Sequence, residues 1–161
     1  NIPSRSVIDM SIETMAKLAK LNNIVGVKDA TGVVGRVNQT LKVIGKEFIQ
    51  LTGNDDNALE FNKSGGVGSI SVTANIAPKL CSDFQKLSTS TNIDDQKKAA
   101  NLDKILQPLH NNLFIESNPS PVKYAASLLG LSSSEVRLPL VELTEKSKVI
   151  ISDTLKAAKL L

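Results

Sequence analysis

Three short apolar runs recur near residues 24, 48 and 67, about twenty residues apart, and each is followed by a segment of helical period. That alternation narrows the choice of fold more than any other feature, because strands joined through helices pair in parallel as repeated βα units. Ile24-Val25-Gly26-Val27 is too short and too β-branched for a helix. Ahead of it, Ser11 can cap a helix with Ile12, Met15, Leu18 and Ala19 on one face. Behind it, Val34, Val37, Leu41 and Ile44 keep helical spacing up to a stop at Gly45. Phe48-Ile49-Gln50-Leu51 reads as the second strand, closed by Thr52-Gly53, and a helix is expected over about 55–63 with Leu59 inward. A third strand is expected over 67–72, entered through a turn at Gly65-Gly66. Pro78 then opens a helix carrying Leu80, Cys81, Phe84 and Leu87.

An eight-stranded TIM (β/α)8 barrel takes about 250 residues. Residues 1–91 supply three strands and, at Asn1, the tail of a fourth. Half a barrel leaves strand edges and an open core, so either a preceding half or a pairing partner is expected. The chain starts at Asn1-Ile2-Pro3 without an initiator methionine, as the middle of a longer protein would. Residues 92–161 read as helices packed on helices. Ala99, Leu102, Ile105 and Leu109 share one face; Pro119 and Pro121 open a helix with Val122, Ala125, Ala126 and Leu129; Leu143, Val149-Ile150-Ile151, Leu155 and Ala158 mark a terminal amphipathic helix.

Composition removes several functions. No apolar run approaches the roughly 18–20 residues of a membrane span. One cysteine and one histidine leave almost no ligands for zinc and no internal disulfide. With no secretory signal pattern, a cytoplasmic setting is expected. The net charge of +3 comes from scattered residues and aromatics make up 3%, so neither the basic groove nor the stacking platform of a nucleic-acid binder is present.

Lys28 is the most informative residue. A lysine at the carboxyl end of a buried parallel strand faces the rim where barrel active sites form. Desolvation there would leave a free amine able to attack a carbonyl; the plainer reading is a stem snorkelling to solvent. Gly53-Asn54-Asp55 closes the next strand, where glycine permits close backbone approach to a ligand and Asp55 can equally be a helix cap. The glycine-rich 65–69 segment lacks the Lys-Ser/Thr of a phosphate-binding loop. Ser71 to Asn75, after the third strand, is better placed to face a pocket. Arg5 suits a substrate carboxylate, and a structural ion pair suits it as well. His110, in the helical tail, and Cys81, on the inner face of its helix, read as structural residues.

Several motifs occur together and in order: Asn1-Ile2-Pro3-Ser4-Arg5, Gly26-Val27-Lys28-Asp29-Ala30-Thr31-Gly32, Gly68-Ser69-Ile70-Ser71-Val72-Thr73-Ala74-Asn75, Asn118-Pro119-Ser120-Pro121-Val122-Lys123 and Arg137-Leu138-Pro139. In this conjunction the chain closely resembles the C-terminal half of the dihydrodipicolinate synthase family over essentially its whole length. The resemblance implies the later βα units of a TIM barrel over 1–91 and a C-terminal helical domain over 92–161. It implies a lyase in lysine and diaminopimelate biosynthesis: Lys28 forms a Schiff base with pyruvate, and the enamine attacks aspartate semialdehyde. It further implies that Arg5 holds the semialdehyde carboxylate, that backbone near Gly53 and Ile70 borders the pocket, and that neither a metal nor an organic cofactor is needed. A homo-oligomer, a tetramer in the family, is the implied assembly.

The family's Thr-Thr-Gly segment, a catalytic tyrosine just ahead of Asn1, a second tyrosine from across a dimer and the lysine feedback site would all belong to a preceding half. Tyr124 is the only tyrosine in the chain. Asp29 stands where many members carry glutamate, a change not expected to matter. The competing readings are a pyruvate aldolase of the N-acetylneuraminate lyase or keto-deoxy-sugar type, against which Pro3-Ser4-Arg5 argues, and a non-catalytic remnant acting in assembly.

Overall fold

A computed structural model describes residues 1–161. The chain divides into two compact units, one of Asn1–Ser71 with Gln85–Gln96 and the other of Val72–Phe84 with Lys97–Leu161. Its helices are α1 (Pro3–Ser6), α2 (Ile12–Leu18), α3 (Gly35–Ile44), α4 (Ala58–Lys63), α5 (Pro78–Ser88), α6 (Ile93–Asn112), α7 (Ser120–Leu128) and α8 (Glu145–Ala157). The strands are β1 (Gly26–Asp29) and β2 (Ile49–Thr52). No helix is long and apolar enough to cross a membrane.

In the first unit β1 and β2 run parallel, with Lys28 opposite Leu51 and Asp29 opposite Thr52. Both begin later than the apolar runs predict, so Lys28 lies inside β1 rather than after it. The third predicted strand contracts to one parallel bridge, Thr52 to Ser69. Its hydrogen bonds are Val67 N–H to the Gln50 carbonyl at 3.0 Å, Thr52 N–H to Gly68 at 3.0 Å and Ile70 N–H to Thr52 at 2.9 Å. Gly65 and Gly68 take φ values of 107° and 154°, which interrupt an extended run, and a short 3₁₀ turn begins at Thr73. On the opposite edge Asn1 joins the sheet: its nitrogen donates to the Lys28 carbonyl at 2.9 Å and its carbonyl accepts from Ala30 at 2.8 Å. The order is therefore Asn1, β1, β2 and the 68–70 segment, each parallel neighbour following in sequence.

Alternate side chains of a strand face opposite ways. Asp29, Gln50 and Thr52 are buried, whereas Lys28, Ile49 and Ile70 are exposed. The buried face is polar, and its groups are satisfied. Gln50 donates to the Val37 carbonyl in α3 at 3.3 Å, and the Thr52 hydroxyl donates to Asn57 at 3.0 Å and accepts from Asn54 N–H at 3.0 Å. Ser11 caps α2 by accepting from Thr14 N–H at 3.2 Å, as its position predicts, and α2 packs against α3. In α4 the buried residues are Ala58, Phe61 and Asn62, with Leu59 only partly covered. Asn62 Nδ2 reaches Gln85 and Ser88 of α5, both at 2.8 Å.

The second unit is built on α6, α7 and α8. Ala99, Leu106, Leu109 and Leu113 are buried at spacings of seven, three and four, and Ile151 and Leu155 of α8 are buried with them. Ile105, expected on this face, is 48% exposed, because the stripe that keeps step with Ala99 passes through Leu106. Thr144 caps α8, its hydroxyl accepting from Ser147 N–H at 3.3 Å, and Asn112 ties α6 to Thr154 at 2.7 Å. His110 is buried with Nδ1 2.7 Å from the Thr73 hydroxyl, and Cys81 is buried, in line with structural readings of both.

Candidate functional site

The four residues singled out by sequence all fall in the first unit. Lys28 projects from the open face of β1, and Gly53 follows β2, the next strand. The Gly53 N–H donates to the Asp29 carbonyl at 2.8 Å, which carries the parallel ladder one residue past the strand. A Cβ placed on Gly53 would lie 2.7 Å from Lys28 Cε and 2.7 Å from Ala30 Cβ. The lysine stem therefore occupies the space that any other residue at 53 would fill. Ile70 belongs to the third sheet position and is exposed on the segment that bonds to Thr52. Lys28, Gly53 and Ile70 are thus brought to three successive positions of one sheet.

Arg5 lies in α1, on the loop that leaves the sheet edge after Asn1, and is exposed. Lys28 is also exposed. The burial expected around it is not supplied by the residues of this unit.

Beneath Lys28, on the buried face, sits a charged network that sequence reasoning passed over. The Asp29 Oδ1 accepts from Thr31 N–H at 2.9 Å and from the Thr31 hydroxyl at 2.5 Å. Its Oδ2 accepts from Arg36 Nε at 3.0 Å and from Asn1 Nδ2 at 3.4 Å. Arg36 continues to Asp9 at 3.3 Å and to the Met10 carbonyl at 2.7 Å. Burial pushes the Asp29 carboxyl up, but the Thr31 hydrogen bonds and the Arg36 guanidinium outweigh it, so the group titrates below the usual aspartate range. The signal in sequence was slight: an arginine in the first turn of α3, seven residues after an aspartate.

Parallel βα units that collect a lysine, a glycine and an arginine-bearing loop at the carboxyl ends of neighbouring strands make an α/β protein, the arrangement of which barrels are built and at whose carboxyl ends barrel proteins gather function. Residues 1–158 match the Dihydrodipicolinate synthetase family, and the chain belongs to that family. A 4-hydroxy-tetrahydrodipicolinate synthase of Pelagibacter ubique is 67% identical, covered over 100% of this chain and 55% of the relative. That of Methylobacterium radiotolerans is 54% identical over 100% of this chain and 53% of its own length. Among solved structures, the dihydrodipicolinate synthase of Aquifex aeolicus superposes with a TM-score of 0.94 at 35% identity, over 99% of this chain and 54% of that one. The chloride-inhibited enzyme of Acinetobacter baumannii complexed with pyruvate gives 0.93 at 39% identity, over 100% and 54%. The chain spans about half the length of the relatives it matches.

Proposed function

We propose that this chain contributes the lysine-bearing part of a 4-hydroxy-tetrahydrodipicolinate synthase, a lyase that condenses pyruvate with aspartate semialdehyde. The observation that carries the reading is the Lys28 stem laid over the side-chain-free Gly53 at the carboxyl end of parallel β1 and β2. In this mechanism the Lys28 amine adds to the pyruvate carbonyl and water leaves, giving an imine. Loss of a methyl proton gives the enamine, whose carbon bonds to the aldehyde carbon while the aldehyde oxygen takes up a proton. The semialdehyde amine then attacks the imine carbon, closes the ring and releases Lys28. Arg5 pairs with the semialdehyde carboxylate through its planar fork, and backbone at Gly53 and Ile70 borders the pocket.

Residues 1–91 act in this reading as the later units of a TIM barrel and 92–161 as a C-terminal helical domain. The rest of the barrel closes over the exposed face of Lys28, Ile49 and Ile70, and the protein works as a cytoplasmic homo-oligomer. Support comes from family membership, from relatives that bear the synthase name and from a structural neighbour complexed with pyruvate.

Borohydride trapping with pyruvate, followed by peptide mass mapping, tests it. A reduced pyruvyl adduct on Lys28, absent from Lys28→Ala, is the expected result. An adduct elsewhere, or none on folded protein in which the rest of the barrel is present, overturns the assignment of Lys28. Turnover of keto-deoxy sugars without turnover of aspartate semialdehyde would instead identify a sugar aldolase.

A further inference from the structure

We infer that Arg36 is a positioning residue, a staple that holds the Arg5 loop against the Lys28 strand and so sets which electrophiles the site accepts. The inference rests on the function proposed above and deepens it.

The loop from Asn1 to Met10 carries Arg5 and is pinned at both ends. At its start, the Asn1 backbone bonds to Lys28 and Ala30. At its end, Met10 N–H donates to Asn1 Oδ1 at 3.0 Å and Asn1 Nδ2 donates to Asp9 at 2.8 Å. Arg36 joins the far end of the loop, at Asp9 and Met10, to the strand. One edge of its guanidinium meets Asp29, the residue after Lys28, and the other nitrogens reach Asp9 and the Met10 carbonyl. The Arg36 side chain is 14% exposed and that of Asp29 9%, so the pair is shielded from solvent and competes little with water.

Between the pins the loop is held by its own turn, where the Ser6 hydroxyl can donate to the Ile2 carbonyl at 3.1 Å or to that of Ile8 at 3.0 Å. α1 is a single four-residue turn with no buried residue and no capping side chain, followed by Val7 at φ 66° and by an exposed Ile8. The left-handed region is costly for a β-branched residue, so this backbone persists because its ends are fixed. A lysine at 36 could keep the charge but not the fork that serves three acceptors at once. Neither Arg36 nor Asp29 faces the reacting amine, since they lie on the opposite side of β1. Their effect on chemistry is geometric: they fix the span between the amine at 28 and the guanidinium at 5. That span selects an aldehyde whose carboxylate sits at a matching distance from its carbonyl.

The test compares wild type with Arg36→Met and Arg36→Lys in the active protein. Three measurements are made: amide exchange over residues 4–10, pyruvate trapping at Lys28, and kcat/KM for aspartate semialdehyde against an uncharged aldehyde of similar length. In Arg36→Met, exchange in the loop should rise by more than that of β1, and trapping should stay within a few-fold of wild type. Preference for the carboxylate-bearing aldehyde should fall by about 10- to 100-fold, the scale of an ångström-sized misplacement. Arg36→Lys should recover only part of that preference. Equal losses for both aldehydes, or unaltered exchange over residues 4–10, overturn the inference. Failure of wild type to form any Lys28 adduct removes the proposed chemistry, and loop exchange alone then decides whether Arg36 is a staple.

Discussion

Asp29 makes the first unit sensitive to acid. Its carboxyl titrates below the roughly 3.9 of an unfolded aspartate, so the charged form favours the folded state. That contribution is complete above the unfolded value and is lost as pH falls through the lower folded one. Unfolding by urea between about pH 6 and pH 3 should show wild-type stability dropping in the acid half of that window, and Asp29→Asn should flatten the drop. Asp29→Asn should also be less stable near neutrality, by about 1–3 kcal/mol, because Arg36 keeps Asp9 and the Met10 carbonyl but loses its charge-assisted bond to Asp29. At Gly53 the constraint is steric. Gly53→Ala must displace both the Lys28 stem and Ala30, at about 1–3 kcal/mol, and pyruvate trapping at Lys28 should slow by about ten-fold or more. Trapping at the wild-type rate would mean that the stem does not need that space.

At the level of elements, the second unit is held by a helix stripe whose phase matters. Leu155 is fully buried on α8, so Leu155→Ala should cost about 2–5 kcal/mol in thermal or urea unfolding. Ile105 stands half exposed one position from the stripe, and Ile105→Ala should cost far less, about 1 kcal/mol or below. Apolar spacing in the sequence fits either phase of α6 across 102–109. The same ambiguity of short runs explains the third strand. Val67 to Val72 has strand composition, yet Gly68 at positive φ, after a turn at Gly65, leaves it one bridge. Caps were easier to read, as at Ser11, because the side-chain acceptor lies within three residues of the N–H it serves.

At the scale of the whole chain, the face bearing Lys28, Ile49 and Ile70 is open, and the chain matches about half of each relative. Residues 1–161 by themselves should therefore trap pyruvate slowly. Adding the polypeptide that corresponds to the other part of the Pelagibacter ubique relative should raise the rate by about ten-fold or more, through desolvation and orientation of the amine. An unchanged rate would show that the face needs no cover. The sequence by itself determined the βα rhythm, the parallel pairing it demands, the helical tail and the identity of Lys28, Arg5, Gly53 and Ile70 as candidates. The rhythm, the pairing and the tail follow from local periodicity and turn chemistry, and the candidates from motifs contiguous in the chain, Ile70 only through the family resemblance those motifs carry. Only the tertiary structure decided that Lys28 rests over Gly53, that it stands exposed, and that Asp29, Arg36, Asp9 and Asn1 form one network beneath it. Those contacts join residues up to 28 positions apart, and long-range pairing of charges leaves no periodic trace in a sequence.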